Sequence, residues 1–211
     1  MPRKTERRHV QGDETRQRIL EATLEIAAER GYDGTTVSLV TERTGMPASS
    51  VYWHFTNKDE LLAETLEYSY QLWRESSHTW ESVDPDADAS HNIADQILKA
   101  GKSLVDRPEF WRLGLMLALD RRIIEPAAKR RFLEVRANSI ALITAWWHDA
   151  LPAALASDIE FARRMARLQV AVMDGLFVGA QVSPHWDVPV LLKMLGNGLG
   201  ALVETRLEEI A

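Results

Sequence analysis

The chain has 211 residues, 45% apolar and 27% charged, with a formal net charge of −6 and no cysteine. That composition is ordinary for a globular chain of one large or two small domains, and it excludes disulfides and thiolate metal sites. No run approaches the roughly 18 apolar residues of a membrane span, and the N-terminus lacks the apolar core of a secretory signal, so a reducing cytoplasm is the expected setting.

Residues 1–12 are polar, aperiodic and end in Gly12, and they read as a basic disordered arm. Arg3, Lys4, Arg7 and Arg8 stand there against one acid, Glu6. A local basic cluster can attract phosphate despite the acidic total, because salt confines charge effects to roughly 10 Å. Asp13 can cap a first helix that runs to about Arg30, with Ile19, Ala22, Thr23, Ile26 and Ala27 on one face and Gly31 as its stop.

Thr36 then offers its hydroxyl as an N-cap, and Val37 and Val40 repeat at helical spacing. Gly45 ends that helix, since glycine enters the left-handed conformation without steric penalty. Pro47 fits the first turn of the next helix, which turns Val51 and Phe55 inward. Ser49, Ser50, Tyr52 and Trp53 remain at or near its open face. Two short helices around a glycine turn make a helix-turn-helix, whose second helix can lie in a DNA major groove. A purely structural corner would expose Lys and Glu where this one has hydroxyls and Tyr52-Trp53-His54.

Asn57 caps a long helix that continues past Trp73, uninterrupted by Pro or Gly to Val83. About 20 helical residues span roughly 30 Å, enough for a connector between two domains. Residues 82–90 read as a loop. Helical segments follow over His91–Val105, from Pro108 through Asp120, from Pro126 to Leu151, from a cap at Ser157 or Asp158 to Val182, and from Asp187 to the end. Period-2 alternation is absent, so the expected class is all-α with about nine helices.

Gly31-Tyr32-Asp33-Gly34-Thr35-Thr36-Val37, Gly45-Met46, and Val51-Tyr52-Trp53-His54-Phe55 followed by Asn57-Lys58-Asp59-Glu60-Leu61-Leu62 resemble the TetR family of bacterial transcriptional repressors. The resemblance covers roughly residues 13–62. It departs at Leu39, where an acidic residue is frequent, at Thr41, where alanine is usual, and at Pro47, where a serine cap is usual. It implies a helix-turn-helix DNA-binding domain at 13–56 and a helical ligand-binding and dimerisation domain at 57–211. In that reading Ala48, Ser49 and Ser50 approach base edges, Thr36, Tyr52, His54 and Lys58 meet phosphates, and Trp53 does either. A homodimer would read a palindromic operator and be released when an inducer tilts the connector helix.

Gly175 and Gly179, and then Gly196 and Gly200, repeat at four-residue spacing in the last two segments. Each glycine inside a helix costs roughly 1 kcal/mol relative to alanine, but lets backbones approach closely. The resemblance assigns these two helices to a four-helix dimer interface; intrachain packing is the other reading. Gly196-Asn197-Gly198-Leu199-Gly200-Ala201 also satisfies a dinucleotide fingerprint, but lacks the βαβ context and the distant acid that such a site needs.

The middle helices carry Trp111, Met116, Phe132, Trp147, Met173 and Phe177, with Arg136, Gln169 and Asp174 as polar companions. Each one alone reads as core. Together, and with the family's inducer site in mind, they suggest a pocket for a small apolar or aromatic compound. The six histidines show no metal spacing, and no nucleophile elbow or P-loop is present, so neither a catalytic residue, a metal nor a cofactor is expected. The competing reading is a helical enzyme or a small-molecule carrier with an unused helix-turn-helix corner.

Overall fold

The computed structural model describes residues 3–76, 80, 89–119, 127–183 and 185–211, with side chains for all of these except 3–11, 76, 89–92 and 103–105. Among the described residues there are nine α-helices: α1 (Arg3–Gly34), α2 (Val37–Thr44), α3 (Ala48–His54), α4 (Lys58–Ser76), α5 (Ala89–Asp106), α6 (Glu109–Leu119), α7 (Ala127–Ala150), α8 (Ile159–Val182) and α9 (Val188–Ile210). A single 3-10 turn, Ala153–Leu155, is the other regular element described. None of the described helices is long and apolar enough to cross a membrane. The loop expected at 82–90 lies outside the described residues up to position 88; α5 already includes Ala89.

The caps explain most helix boundaries. The Thr36 hydroxyl accepts from Leu39 N at 3.3 Å, Asn57 Oδ1 from Glu60 N at 2.9 Å, Asp158 Oδ1 from Phe161 N at 3.0 Å, and Asp187 Oδ1 from Val190 N at 3.2 Å. Each satisfies a first-turn N–H that the helix itself cannot. Gly31 breaks α1 with φ 72° and ψ −176°, and Gly45 ends α2 with φ 68° and ψ 12°. Two starts differ from the sequence reading. The backbone is helical from Arg3, so α1 begins well before the Asp13 cap and the expected disordered arm is helical from its third residue. The segment is made largely of Arg, Lys, Glu and Gln, good helix formers, with no proline after Pro2. Pro47 stands just outside α3, extended at φ −69° and ψ 151°, and caps it without a side-chain bond.

The chain forms two compact units, residues 1–75 with 108–135, and residues 76–107 with 136–211. This division by compactness differs from the division by role at 56/57. In the first unit, Ile19, Leu20, Ile26, Val40, Val51, Phe55 and Leu61 make the buried core of the trihelical head. The same unit holds α6, packed on α1, and the first third of α7. Tyr70 and Trp73 of α4, Phe110 and Trp111 of α6, and Phe132 of α7 form one aromatic cluster, with Phe110–Phe132 and Trp73–Trp111 ring centroids both 5.5 Å apart. Gly114 is required at that crossing, because a Cβ there would fall 2.0 Å from the Phe132 ring.

In the second unit α9 lies along α5 and packs on α8. Its core gathers Ile93 and Ile97 from α5, Trp146 and Trp147 from α7, Met165 and Ala166 from α8, and Leu192, Leu199 and Val203 from α9.

Candidate functional site

Helix α3 presents two faces of opposite chemistry. Val51 and Phe55 are 1% and 2% exposed and anchor it to the head core, while Tyr52 is 57% and Trp53 77% exposed. Ala48 and Ser49 are exposed as well, and Ser50 is half-buried. Burial of large aromatic rings is strongly favourable, so two of them held out of the core by one short helix mark a contact face. Two neighbours lie beside the Trp53 ring. The His54 ring packs edge-on against it at 4.5 Å, and Trp53 Cζ3 lies 4.0 Å from where a Cβ on Gly12 would stand. Burial, and then the Arg16 guanidinium, push the His54 imidazole below its ordinary pKa, so it is neutral at pH 7.

The other residues assigned to phosphates are placed as follows. Thr36 is exposed at the N-terminus of α2, where its hydroxyl serves as the cap. Lys58 directs its ammonium at the Asp33 carbonyl, 3.2 Å away, and over the Tyr32 ring at 4.9 Å. The side chains of Arg3, Lys4, Arg7 and Arg8 lie outside the described ones; their backbone opens α1. Arg16 pairs with Glu64, and Arg43 with Glu25 and Glu29 at 3.0 and 3.1 Å.

A half-buried polar knot, invisible in the sequence, ties the head to α7 within the first unit. The Tyr32 hydroxyl donates to Asp59 Oδ1 at 3.2 Å, and Asp59 Oδ2 accepts from Ala127 N at 3.4 Å, in the first turn of α7. Burial and the Asp59 carboxylate push the Tyr32 phenol up to about 12, so it stays a donor. One turn further along α7, Arg131 donates to Glu67 of α4 and lies over the Tyr70 ring at 5.4 Å. The partners in these pairs are 64 and 68 positions apart, so no local pattern could have announced them.

The nine residues expected around a ligand divide between the two units. Trp111 and Phe132 belong to the aromatic cluster of the first, buried at 8% and 0% exposure. The Trp111 Nε1 is buried and has no hydrogen-bond partner among the described residues. Met116 turns away from that cluster and meets α1 at Gly31. In the second unit the polar trio is internally satisfied. Arg136 forms a two-pronged pair with Asp174, and Gln169, fully buried, accepts from Trp147 Nε1 at 2.8 Å while donating to Met173 Sδ at 3.8 Å. Phe177 is buried. A half-open cleft of about 600 Å³ does exist in that unit, lined by Leu98, Lys102, Trp186 and Leu192 among others, but none of the nine lines it.

The four glycines assigned to a dimer face have different surroundings. A Cβ on Gly179 would come within 2.5 Å of the Trp186 ring, and one on Gly196 within 2.4 Å of Ala94 Cα. Those two glycines serve close approach inside the chain, the reading that bare spacing could not separate from a dimer seam. Gly200 is buried, whereas Gly175 opens to solvent with nothing within 4 Å. Gly175 belongs to an exposed apolar stripe on α8 with Leu168, Val178 and Val182, and α9 carries another in Val190, Met194 and Leu202. Elsewhere, His148 Nδ1 and Asp149 Oδ1 meet at 3.0 Å although they are sequence neighbours on a helix; both are exposed and their pairing builds no site. No group of three or more metal-binding side chains occurs among the described residues.

A trihelical head with a glycine turn and an outward second helix defines a helix-turn-helix protein. The family model described as "Bacterial regulatory proteins, tetR family" matches residues 19–65, the stretch from the α1 core residues to the first two turns of α4. The HTH-type transcriptional regulator SrpR of Pseudomonas putida is 38% identical over 66 residues, 31% of this chain and 30% of that protein. The chain thus matches about a third of such a relative's length. Over the whole fold, a transcriptional regulator from Rhodococcus sp. Rha1 superposes with a TM-score of 0.63 at 22% identity, covering 89% of this chain and 95% of its own. The regulator FadR of Bacillus subtilis, solved in complex with stearoyl-CoA, gives 0.62 at 18% identity, covering 87% and 96%. Residues 19–65, the head, thus match the tetR family of bacterial regulatory proteins.

Proposed function

We propose that this chain is a homodimeric, ligand-responsive transcriptional repressor that acts on DNA in the bacterial cytoplasm. The observation that carries the reading is α3, which holds two aromatic rings and two small residues out of the core on the head of a tetR-family fold. Such a helix enters the major groove, with Ala48, Ser49 and Ser50 at base edges and Tyr52 and the neutral His54 donating to phosphates. Lys58 is within one side-chain rearrangement of the same role, once its ammonium leaves the Asp33 carbonyl. The described head arginines Arg16 and Arg43 are engaged with carboxylates. Sequence-independent attraction is assigned to the basic start of α1, and four cations there in each of two protomers correspond to a salt slope of about −7.

Two copies would meet through the apolar stripes of α8 and α9. Removing those side chains from water on association is favourable at about 25 cal/mol per Å² of apolar surface. A two-fold dimer then presents two α3 helices to a palindromic operator, in major grooves about 34 Å apart.

For the ligand response, the buried Trp111 Nε1, without a hydrogen-bond partner among the described residues, supports a bound molecule that is apolar or aromatic and carries an oxygen acceptor. SrpR and the structural neighbour FadR are transcriptional regulators, which supports a regulator over an enzyme, and FadR, solved with stearoyl-CoA bound, supports the sensing of a small molecule. A ligand that moves α6 or the start of α7 acts on the head through the contacts of Met116, Asp59 and Glu67 in the same unit. To release DNA it has to prefer the non-binding state by a few kcal/mol.

The test is a gel-shift titration with the protein's own upstream DNA at several salt concentrations. Tight, salt-dependent binding weakened by Tyr52→Ala supports the reading, and removal of residues 1–8 is expected to flatten the salt dependence. Indifference to every duplex at low ionic strength overturns it.

A further inference from the structure

Resting on the DNA-binding reading, we propose that Trp53 reads a thymine 5-methyl group, and that the contacted half-site is specified by thymine and not by guanine. The seven residues of α3 are Ala-Ser-Ser-Val-Tyr-Trp-His, with no Arg, Lys, Asn or Gln. The side chains that recognise purines by paired hydrogen bonds in the major groove, Arg or Lys on guanine and Asn or Gln on adenine, are therefore missing from the helix that would read it. What α3 does expose is apolar surface and small hydroxyls. Ser49 and Trp53 are four residues apart, on the side opposite the buried Val51 and Phe55.

The Trp53 ring carries most of that face. It is 77% exposed, yet braced edge-on by His54 at 4.5 Å and flanked by Gly12 of α1. The apolar surface of a ring on the groove-facing side has one apolar complement on the base-pair edges, the C5 methyl of thymine. The serine hydroxyls, able to donate or accept, tolerate any base and add little discrimination. Burying one methyl is worth about fourfold in affinity per half-site.

The experiment begins with selection of the full-length protein against a random duplex library, which yields the preferred half-site. Each thymine of the selected site is then replaced singly by deoxyuridine, which removes only the 5-methyl, and the dissociation constants are compared at fixed salt. The expected result is one position per half-site where deoxyuridine weakens binding about fourfold. Trp53→Ala is expected to lose that difference, and Trp53→Phe to keep it. Since Trp53 is exposed, its variants should melt like the wild type, which circular dichroism checks. Equal binding of thymine and deoxyuridine sites throughout, or discrimination that survives Trp53→Ala, overturns the inference while leaving the DNA-binding reading standing. Failure of the selection to enrich any sequence overturns both.

Discussion

The Met116 methyl of α6 lies 3.0 Å from the position a Cβ on Gly31 would take, so the break in α1 and the exposed end of α6 are fitted to each other. Gly31 also holds φ 72° with ψ −176°, a region essentially closed to residues with a side chain. Gly31→Ala is therefore expected to lower the unfolding free energy by about 1–3 kcal/mol, mostly through the backbone. Urea denaturation followed by circular dichroism measures it. The end of a methionine is flexible, so adding Met116→Ala should recover little; full recovery would place the cost in the contact and not in the backbone.

Glu67 accepts from Arg131, and that hydrogen bond is the main cause that holds its carboxyl below the usual value of 4.5. A depressed folded-state pKa contributes stability above the unfolded value, and loses it as the pH falls through the folded one. The stability difference between wild type and Glu67→Gln is thus expected to be present at pH 7 and to shrink progressively as the pH falls below the ordinary carboxyl value of 4.5. Both side chains are about a third exposed, so the difference at pH 7 should stay under about 1 kcal/mol. Paired denaturation curves at pH 7, 5 and 3.5 check the sign. A difference that grows with acid would refute the assignment.

Gln169 is fully buried and supplies the acceptor for the Trp147 indole N–H, itself fully buried. Gln169→Leu leaves that donor unpaired in an apolar core, which costs about 1–3 kcal/mol. In a double-mutant cycle, Trp147→Phe in the leucine background should be less harmful than in the wild type, because the orphaned donor leaves with the indole. Strict additivity of the two substitutions in thermal melts would count against the hydrogen bond.

Val182 and Met194 are 77% and 62% exposed on the apolar stripes of α8 and α9. Val182→Asp combined with Met194→Glu is expected to weaken self-association at least about tenfold, the effect of roughly 1.4 kcal/mol, by placing charge in a desolvated seam. Neither residue contributes to the buried core, so the fold itself should persist. Sedimentation equilibrium separates the outcomes: a wild type that is monomeric at micromolar concentration, or a dimer indifferent to both charges, removes the proposed seam.

The local elements were legible in the chain. Thr36, Asn57, Asp158 and Asp187 cap their helices, and Gly31 and Gly45 take positive φ, because capping and left-handed backbone depend on one residue and its immediate neighbours. The inward Val51 and Phe55 and the outward Trp53 followed from helical period alone. Tertiary structure decided what spacing leaves open. Gly196 and Gly179 repeat at four like a dimer seam, yet Ala94 and Trp186 of the same chain fill the space they leave. Arg136 and Asp174, read from the sequence as polar candidates at a ligand, are set against each other by the fold across 38 residues. A side chain's chemistry limits the partners it accepts, but which partner arrives is set by packing between segments distant in sequence, and that information is distributed over the whole chain.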